Sequence, residues 1–407
     1  MAKLTPSLLS MPPRPEGETP VLTLRIAVIG AGIGGLVAAA GLQSDGHDVT
    51  VYEQRPDPSP SGAGLTLFGN AFAALDALRL GDVVRDISSG TIATLRAGQR
   101  HPSGSWLITV PPSAVASMRS VHRVALHQTL ADRLHPGTVR TGCSALVAGD
   151  GAPAVMVGDA TEDYDLVVVA DGIRSRNRAA LGLDTGLRYA GYTAWRGVTA
   201  RPLDLRGAAG ETWGRGQIFG VVPLPDDRVY WFGTMTTPEG TAFPDEYEAV
   251  RQRFMGWHEP IQACIEATPP ERVMRHDIYD LARPLASFAR GRTVLLGDAA
   301  HAMTPNLGQG AGQAIEDAAT LALLLRGAGT TGLDAALARY STLRQKRTKT
   351  LMLRSRMAGR VAQASGPMVI GLRDTALRLT PGAVMGALSR RLAAWSEPVE
   401  KRTADNA

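Results

Sequence analysis

The chain has 407 residues, 44% of them hydrophobic and 20% charged, with a formal net charge of +5. That length and mix point to two or three globular domains rather than one small core. No apolar run reaches the roughly 20 residues that span a bilayer, and Cys143 and Cys264 lack disulfide-framework or metal-ligand spacing. No metal site is expected, and a reducing cytoplasm fits. Lysine is absent between Lys3 and Lys346, which closes that stretch to Schiff-base, P-loop and kinase-lysine chemistry.

Residues 1–22 are Pro- and Ser-containing without the apolar region of a signal peptide, so a disordered leader is expected. Leu24 to Gly30 is a buried-type strand, Gly34 to Gln43 an alanine-rich helix and Asp48 to Glu53 a second strand. Together they make a βαβ opening. Asn70 to Leu80 and Val124 to Leu134 carry helical spacing, while Val155 to Gly158 and Asp165 to Ala170 read as strands.

From Tyr189 to Met235 the texture changes to short β-prone runs, Tyr192 to Thr199, Gln217 to Leu224 and Arg228 to Met235, parted by Gly, Pro and Asp turns. An antiparallel sheet of a second domain is expected there. Phe243 to Ala267 returns to helix, Thr293 to Asp298 re-enters the first domain as a strand, and Gln309 to Leu325 is a long helix. Beyond Ser341 the pattern is helical, broken at Gly366-Pro367 and Pro381-Gly382. The basic block from Arg344 to Arg360 lacks interleaved aromatics and reads as a solvated helix face, not a nucleic-acid site.

Three motifs carry the chemistry. In Gly30-Ala31-Gly32-Ile33-Gly34-Gly35, between strand and helix, Gly30 makes a tight turn, Gly32 admits a pyrophosphate and Gly35 lets helix and strand pack. Glu53 ends the next strand, where an acid can hold ribose hydroxyls. The spacing alone does not separate FAD from NAD. In Asp171 to Arg178 a buried strand ends in a turn with Ser175 and Arg178, an anion-binding corner or a solvated turn. Gly297-Asp298 runs through a glycine-dotted loop to a helix. Its carboxylate can accept hydrogen bonds from hydroxyls, and the N–H groups of Leu307, Gly308 and Gln309 can face developing negative charge.

In this order the three motifs resemble those of the class A flavoprotein monooxygenases, the aromatic-hydroxylase family that includes salicylate and urate hydroxylases. The resemblance covers roughly Leu24 to Ala393. Gly62-Ala63-Gly64 is similar to the family's flavin-contact loop, and Arg123 heads a helix like the one that reaches FAD. The implied fold is α/β. It has a Rossmann-like FAD-binding domain (23–76, 105–185, 286–350), an inserted antiparallel substrate domain (77–104, 186–285) and a helical C-terminal region (351–407).

The resemblance implies one FAD, NADPH or NADH as co-substrate, and O2. Through a flavin C4a-hydroperoxide, oxygen would pass to a small aromatic or polycyclic molecule by hydroxylation or epoxidation. FAD contacts are implied at Gly30, Gly32, Ile33, Gly34, Gly35, Glu53, Gln54, Arg55, Gly64, Arg123, Leu146, Asp171, Gly172, Arg178, Asp298, Pro305, Leu307, Gly308, Gln309 and Gly310. Asp298 would bind the ribityl chain and Pro305 would shape the oxygen-transfer pocket, while His301 is structural. Arg196, Tyr230 and Tyr192 are the polar candidates near substrate, and Trp195, Ile218, Val222 and Phe232 would line its pocket. Ile218 stands where the urate-specific branch places an arginine, which favours a less polar ring. The alternative is a flavin-dependent reductase on the same scaffold, without oxygen transfer. A monomer or homodimer in a bacterial cytoplasm, with neither nucleic acid nor membrane span, completes the expectation.

Overall fold

The computed structural model describes residues 23–57, 63–326, 328 and 332–398, so the expected leader and Gly62 lie outside the described residues. Strand Arg25–Ile29 is apolar because both its neighbours and both its faces are protein. It sits inside a six-stranded sheet ordered Ala289–Arg290, Thr293–Leu295, Leu166–Val169, Arg25–Ile29, Asp48–Tyr52, Val139–Arg140. All pairs are parallel except Ala289–Arg290 with Thr293–Leu295. Continuous apolar runs are what a parallel sheet covered on both faces requires. Helix Ile33–Ser44 packs on helix Gly310–Leu325, which also packs on helix Gly69–Ala77.

A second sheet has seven strands, ordered Met274–Leu281, Leu187–Val198, Val229–Thr236, Gln217–Pro223, Ala208–Trp213, Arg96–Arg100, Trp106–Thr109. The three strands expected from the sequence form its middle. The other four escape a periodicity reading, since segments such as RAGQR and MRHDIYDL are short or rich in charge. Trp106–Thr109 pairs antiparallel with Arg96–Arg100. The expected boundary at 105 is therefore corrected: this hairpin belongs wholly to the second sheet. Residues 81–86 move the other way, because helix Gly81–Asp86 packs on helices Gly69–Ala77 and Arg123–Ala131 of the first domain.

One face of the second sheet is closed by two short helices, Glu246–Arg253 and Ile261–Glu266. The expected single helix from Phe243 to Ala267 is interrupted at Gly256, whose φ of +80° suits glycine, and at Pro260. Trp195, Phe219, Val221, Trp231, Phe254 and Ile265 form the core there. Phe219 stacks on Trp231 at 5.4 Å and meets Phe254 edge-on at 5.0 Å. Each aromatic buries on the order of 150–250 Å², which makes this face the hydrophobic core of the domain rather than a binding surface.

The C-terminal helices Leu333–Ala362, Pro367–Leu379 and Gly382–Leu392 break where the sequence predicts. The solvated-face reading of the basic block holds for Lys346, Lys349, Arg354 and Arg360, which are exposed. It fails for Arg344, which is 2% exposed and bound to two carboxylates.

Candidate active site

Gly30 and Gly35 of the first motif meet one kind of surroundings and Gly32 another. A Cβ on Gly30, whose φ is +109°, would lie 2.4 Å from the Ala170 carbonyl oxygen, and one on Gly35 would lie 2.0 Å from the Gly30 oxygen. Both positions therefore exclude side chains on packing grounds. A Cβ on Gly32 would meet nothing within 4 Å. The fold itself does not need glycine at this position, and the cleared space at a helix N-terminus is what a pyrophosphate would fill. Glu53 is buried, accepting from Ala31 N at 2.9 Å through Oε2 and from Arg55 N at 2.9 Å through Oε1. Oε1 also accepts from Arg55 Nε at 3.3 Å, so it is Oε2 that keeps a lone pair for a ribose hydroxyl. Gln54 and Arg55 follow on the exposed rim.

The second motif closes the crevice from the neighbouring strand. Asp171 Oδ2 accepts from Asn177 Nδ2 at 2.9 Å, but its Oδ1 is buried without a partner. An orphaned acceptor beside Gly30 is the mark of a missing hydrogen-bond donor. Asn177 also bonds to Ala145 O and Val147 N, so the half-buried Leu146 between them is held at the same corner. Arg178 is a correction. It is 2% exposed, and its guanidinium donates to Asp184 Oδ1 at 2.7 Å, Ala299 O at 3.1 Å and Ile173 O at 2.9 Å. With those donors spent inside the protein, it ties the second motif to the third instead of reaching a phosphate or a nicotinamide cofactor.

The third motif is a loop pinned from below. Gly297 has φ +62° and its N–H donates to Asp317 Oδ2 at 2.8 Å. The same carboxylate holds His301 Nε2 at 2.6 Å and Arg344 Nε at 2.5 Å. Arg344 also reaches Glu316 Oε2 at 2.6 Å and Gln313 Oε1 at 2.7 Å, and Glu316 in turn accepts from Asn70 at 2.6 Å. His301 is thus structural, as expected. Burial opposes it, but His301 and the Arg344 guanidinium beside it hold Asp317 below the usual carboxylate range.

On top of this network Asp298 stays exposed at the crevice. The Pro305–Leu307 turn leads to Gly308 at φ +63°, where a Cβ would press within 3.1 Å of the Phe68 ring. The Gly308 N–H is committed to Pro305 O at 2.8 Å, which corrects its expected role as a free donor. Gln309, 2% exposed, caps helix Gly310–Leu325 and fixes Asn70 with its side chain. The helix's first-turn N–H groups and dipole, starting beside the open space at Gly310, remain to meet negative charge.

The second sheet turns its other face to this loop. A Cβ on Gly64 would lie 2.3 Å from Tyr230 Cβ, and Tyr192 donates to Asn306 Oδ1 at 2.8 Å. Register places Arg196, Phe232, Gly220, Glu211 and Gln99 in one row across five strands, with Val198, Tyr230 and Val222 in the next and Ala194, Thr234, Ile218 and Trp213 in a third. Strands are about 4.8 Å apart, so Arg196 and Glu211 flank a floor of roughly 14 Å. Phe232 leans over Gly220, where a Cβ would meet its ring at 2.2 Å. Arg196, Tyr230, Val222 and Phe232 are part-exposed while their strand neighbours are buried, the alternation of a sheet lining a cavity.

Of the expected pocket residues, Ile218, Val222, Phe232, Arg196 and Tyr230 lie on this face. Trp195 is a correction: period-two geometry sends it to the opposite face, fully buried, with Nε1 on Glu246 at 2.7 Å and its ring 5.3 Å from Phe243. Tyr192 is likewise spent on Asn306. Arg123 lies at the crevice mouth, where desolvation lowers its pKa and Asp298 raises it, with Arg196 and Tyr230 close enough to be felt. Burial raises the Tyr230 hydroxyl against the pull of Arg196 and Arg123.

Glu211 was missed, because its strand was not read. Its carboxylate accepts from Trp213 Nε1 at 2.7 Å, and burial raises its pKa. Beside it in register, Gln99 Oε1 is buried without a donor. A half-buried acid next to an unpaired acceptor was findable only once the two strands were paired.

Residues 23–355 match the FAD binding domain family. Over 382 residues the chain is 36% identical to aurachin C monooxygenase/isomerase from Stigmatella aurantiaca, covering 90% of this chain and 97% of that protein. It is 34% identical to 2-heptyl-3-hydroxy-4(1H)-quinolone synthase from Pseudomonas aeruginosa, with 91% and 97% covered. Among solved structures, Klebsiella pneumoniae HpxO complexed with FAD and uric acid superposes with a TM-score of 0.81 at 28% identity, covering 91% of this chain and 96% of that one. The open Gly32 turn, the orphaned Asp171 oxygen and the pinned Asp298 loop suit that cofactor, and with these matches the chain belongs to the class A FAD-dependent aromatic hydroxylases and is an FAD-dependent monooxygenase.

Proposed function

We propose that the protein uses NADPH or NADH and O2 to hydroxylate a flat bicyclic heteroaromatic substrate that carries a ring N–H, of the 4-quinolone type. The observation that carries this is the sheet-face row Arg196, Phe232, Gly220, Glu211 and Gln99. Phe232, Val222 and Ile218 offer an apolar floor, and Glu211 with Gln99 offers two adjacent acceptors at its end. The name of the Pseudomonas aeruginosa relative, a 4(1H)-quinolone synthase, agrees with such a ring. A urate-like ring, with many polar edges, fits an isoleucine at position 218 less well.

When bound, FAD supplies electron transfer from the nicotinamide and activation of oxygen. Glu53 and the Gly30–Gly35 turn would hold its adenosine and pyrophosphate. Asp298 would hold the ribityl hydroxyls, and the start of helix Gly310–Leu325 would stabilise negative charge on the reduced ring. Pro305 and Phe232 would exclude water above and beside the substrate, which limits wasteful discharge of oxygen species. Ionised Glu211 would accept the substrate N–H, enriching the ring in electrons at the carbon that is attacked. Arg196 would meet a carbonyl or oxyanion at the opposite end.

The test is to supply the FAD-loaded protein with NADPH or NADH, O2 and a panel of 4-quinolones, quinolines, salicylate and urate. The expected result is quinolone-stimulated nicotinamide oxidation with one labelled oxygen atom from O2 in the product. Stimulation by urate or salicylate alone would overturn the substrate class. Nicotinamide oxidation without oxygen incorporation would favour a reductase.

A further inference from the structure

We propose that the C-terminal helices form a docking surface for an anionic lipid bilayer, placing the substrate cavity at the membrane surface. Helix Pro367–Leu379 is inverted relative to an ordinary surface helix. Its charged pair, Arg373 and Asp374, is 6% and 7% exposed, joined at 2.8 Å, with Arg373 donating to Gly214 O and Ala362 O. Its apolar residues face outward: Met368 is 80% exposed, Leu372 68% and Leu379 77%. They recur at the three- and four-residue steps that make one stripe. Val384 and Leu388 repeat the pattern on helix Gly382–Leu392, and Leu353, Met357 and Val361 on the end of helix Leu333–Ala362.

Charge selects the occupant. From Ala335 to Ser396 the only acidic residue is Asp374, which is buried, whereas Lys346, Lys349, Arg354, Arg360, Arg378, Arg390 and Arg391 are all exposed. Outward apolar stripes interleaved with unopposed cations are the composition of a helix lying in the headgroup layer of an anionic membrane. A second copy would set the same cations against each other across a two-fold axis, which disfavours self-association. No described helix is long and apolar enough to cross a bilayer, as expected of helices that lie on one.

The surface also touches the cavity wall. Arg373 stacks over the Trp213 ring at 5.6 Å, and Gln363 Nε2 reaches Thr234 Oγ1 at 2.6 Å. Trp213 and Thr234 both lie on the substrate face of the sheet. The helix that meets the lipid on its outer side therefore abuts the cavity on its inner side, the arrangement that suits an apolar substrate dissolved in the membrane.

The experiment is flotation of the FAD-loaded full chain with vesicles of phosphatidylcholine alone and of phosphatidylcholine and phosphatidylglycerol in equal parts. Binding to the anionic vesicles, released by high salt and absent with phosphatidylcholine alone, is expected. The triple variant Met368→Ser, Leu372→Ser, Leu379→Ser should lose binding on the order of tenfold or more, and so should Arg378→Glu with Arg390→Glu and Arg391→Glu. Flavin content, unchanged in both variants, reports an intact fold. The salt series on the unaltered protein stands even if a variant fails to fold. No binding to anionic vesicles overturns the proposal. So would a salt-stable dimer abolished by the triple variant, or vesicle binding seen only after residues 399–407 are removed, which would make the chain's own tail the occupant.

Discussion

The two sheets solve different problems with the same strand chemistry. The six-stranded sheet buries both faces and leaves ligand recognition to the turns at its strand ends, where glycines and backbone groups act. The seven-stranded sheet buries one face and gives the other to the cavity, so recognition falls on side chains at every second residue. Backbone recognition tolerates almost no change at a few fixed positions. Side-chain recognition tolerates much, and so carries little fixed pattern. The first region serves a cofactor shared across a family, the second a substrate that differs between members.

The largest expected effect breaks the first region alone. Gly32→Glu places a carboxylate in the open pyrophosphate space without any protein clash, so flavin content should fall to near zero while circular dichroism and cooperative unfolding of the apoprotein persist. Normal flavin content in this variant would refute the placement of the site. Next, Arg344→Ala removes the guanidinium that Glu316 and Asp317 share beneath the Asp298 loop, leaving Glu316 with Arg347 and Asp317 with His301. The expected loss is about 3–5 kcal/mol, read by denaturant unfolding, together with weaker flavin retention. A loss confined to flavin, with unchanged stability, would mean the network positions the loop but does not hold the domain.

The second region is sharpened by Glu211. Because its pKa is raised, the acid limb of the rate profile should lie above the ordinary carboxylate range, and Glu211→Gln should remove that limb and raise KM for N–H substrates. The same sign governs stability. A carboxyl protonated more readily in the folded state favours folding at low pH, and that benefit is lost as pH rises through the raised value. The Gln variant should therefore gain stability relative to the parent toward alkaline pH. The smallest contrast lies between neighbours on adjoining strands. Phe232→Ala should change substrate preference at a modest stability cost. Trp195→Phe should leave preference unchanged and lower stability by about 1–2 kcal/mol, as the Glu246 hydrogen bond is lost. A shift of preference in Trp195→Phe would overturn the assignment of faces.

What was legible in the sequence follows the same division. Gly30, Gly32, Gly35, Glu53 and Asp298 could be placed because local backbone geometry demands those residue types at that spacing. Arg178 was misread because an arginine after a turn looks the same whether it meets a phosphate or, as here, Ala299 O and Asp184. Trp195 was misread and Glu211 unseen for a non-local reason. Which face a strand residue occupies depends on partners far away in the chain, and strand Ala208–Trp213 becomes visible only when paired with Arg96–Arg100 and Gln217–Pro223.

The alternation at Trp231 and Phe232 bears on how this enzyme can diversify. Odd and even positions of strand Val229–Thr236 face different surroundings, one set the packed core and the other the cavity. A library randomised at 196, 198, 218, 222, 230 and 232 would explore new chemistry while leaving the aromatic nucleus untouched. One deleted residue in the same strand would exchange the two sets at once, sending Trp231 into the cavity and Phe232 into the core. Substitutions are thus the open road to new specificity here, and single-residue deletions within these strands are closed to it.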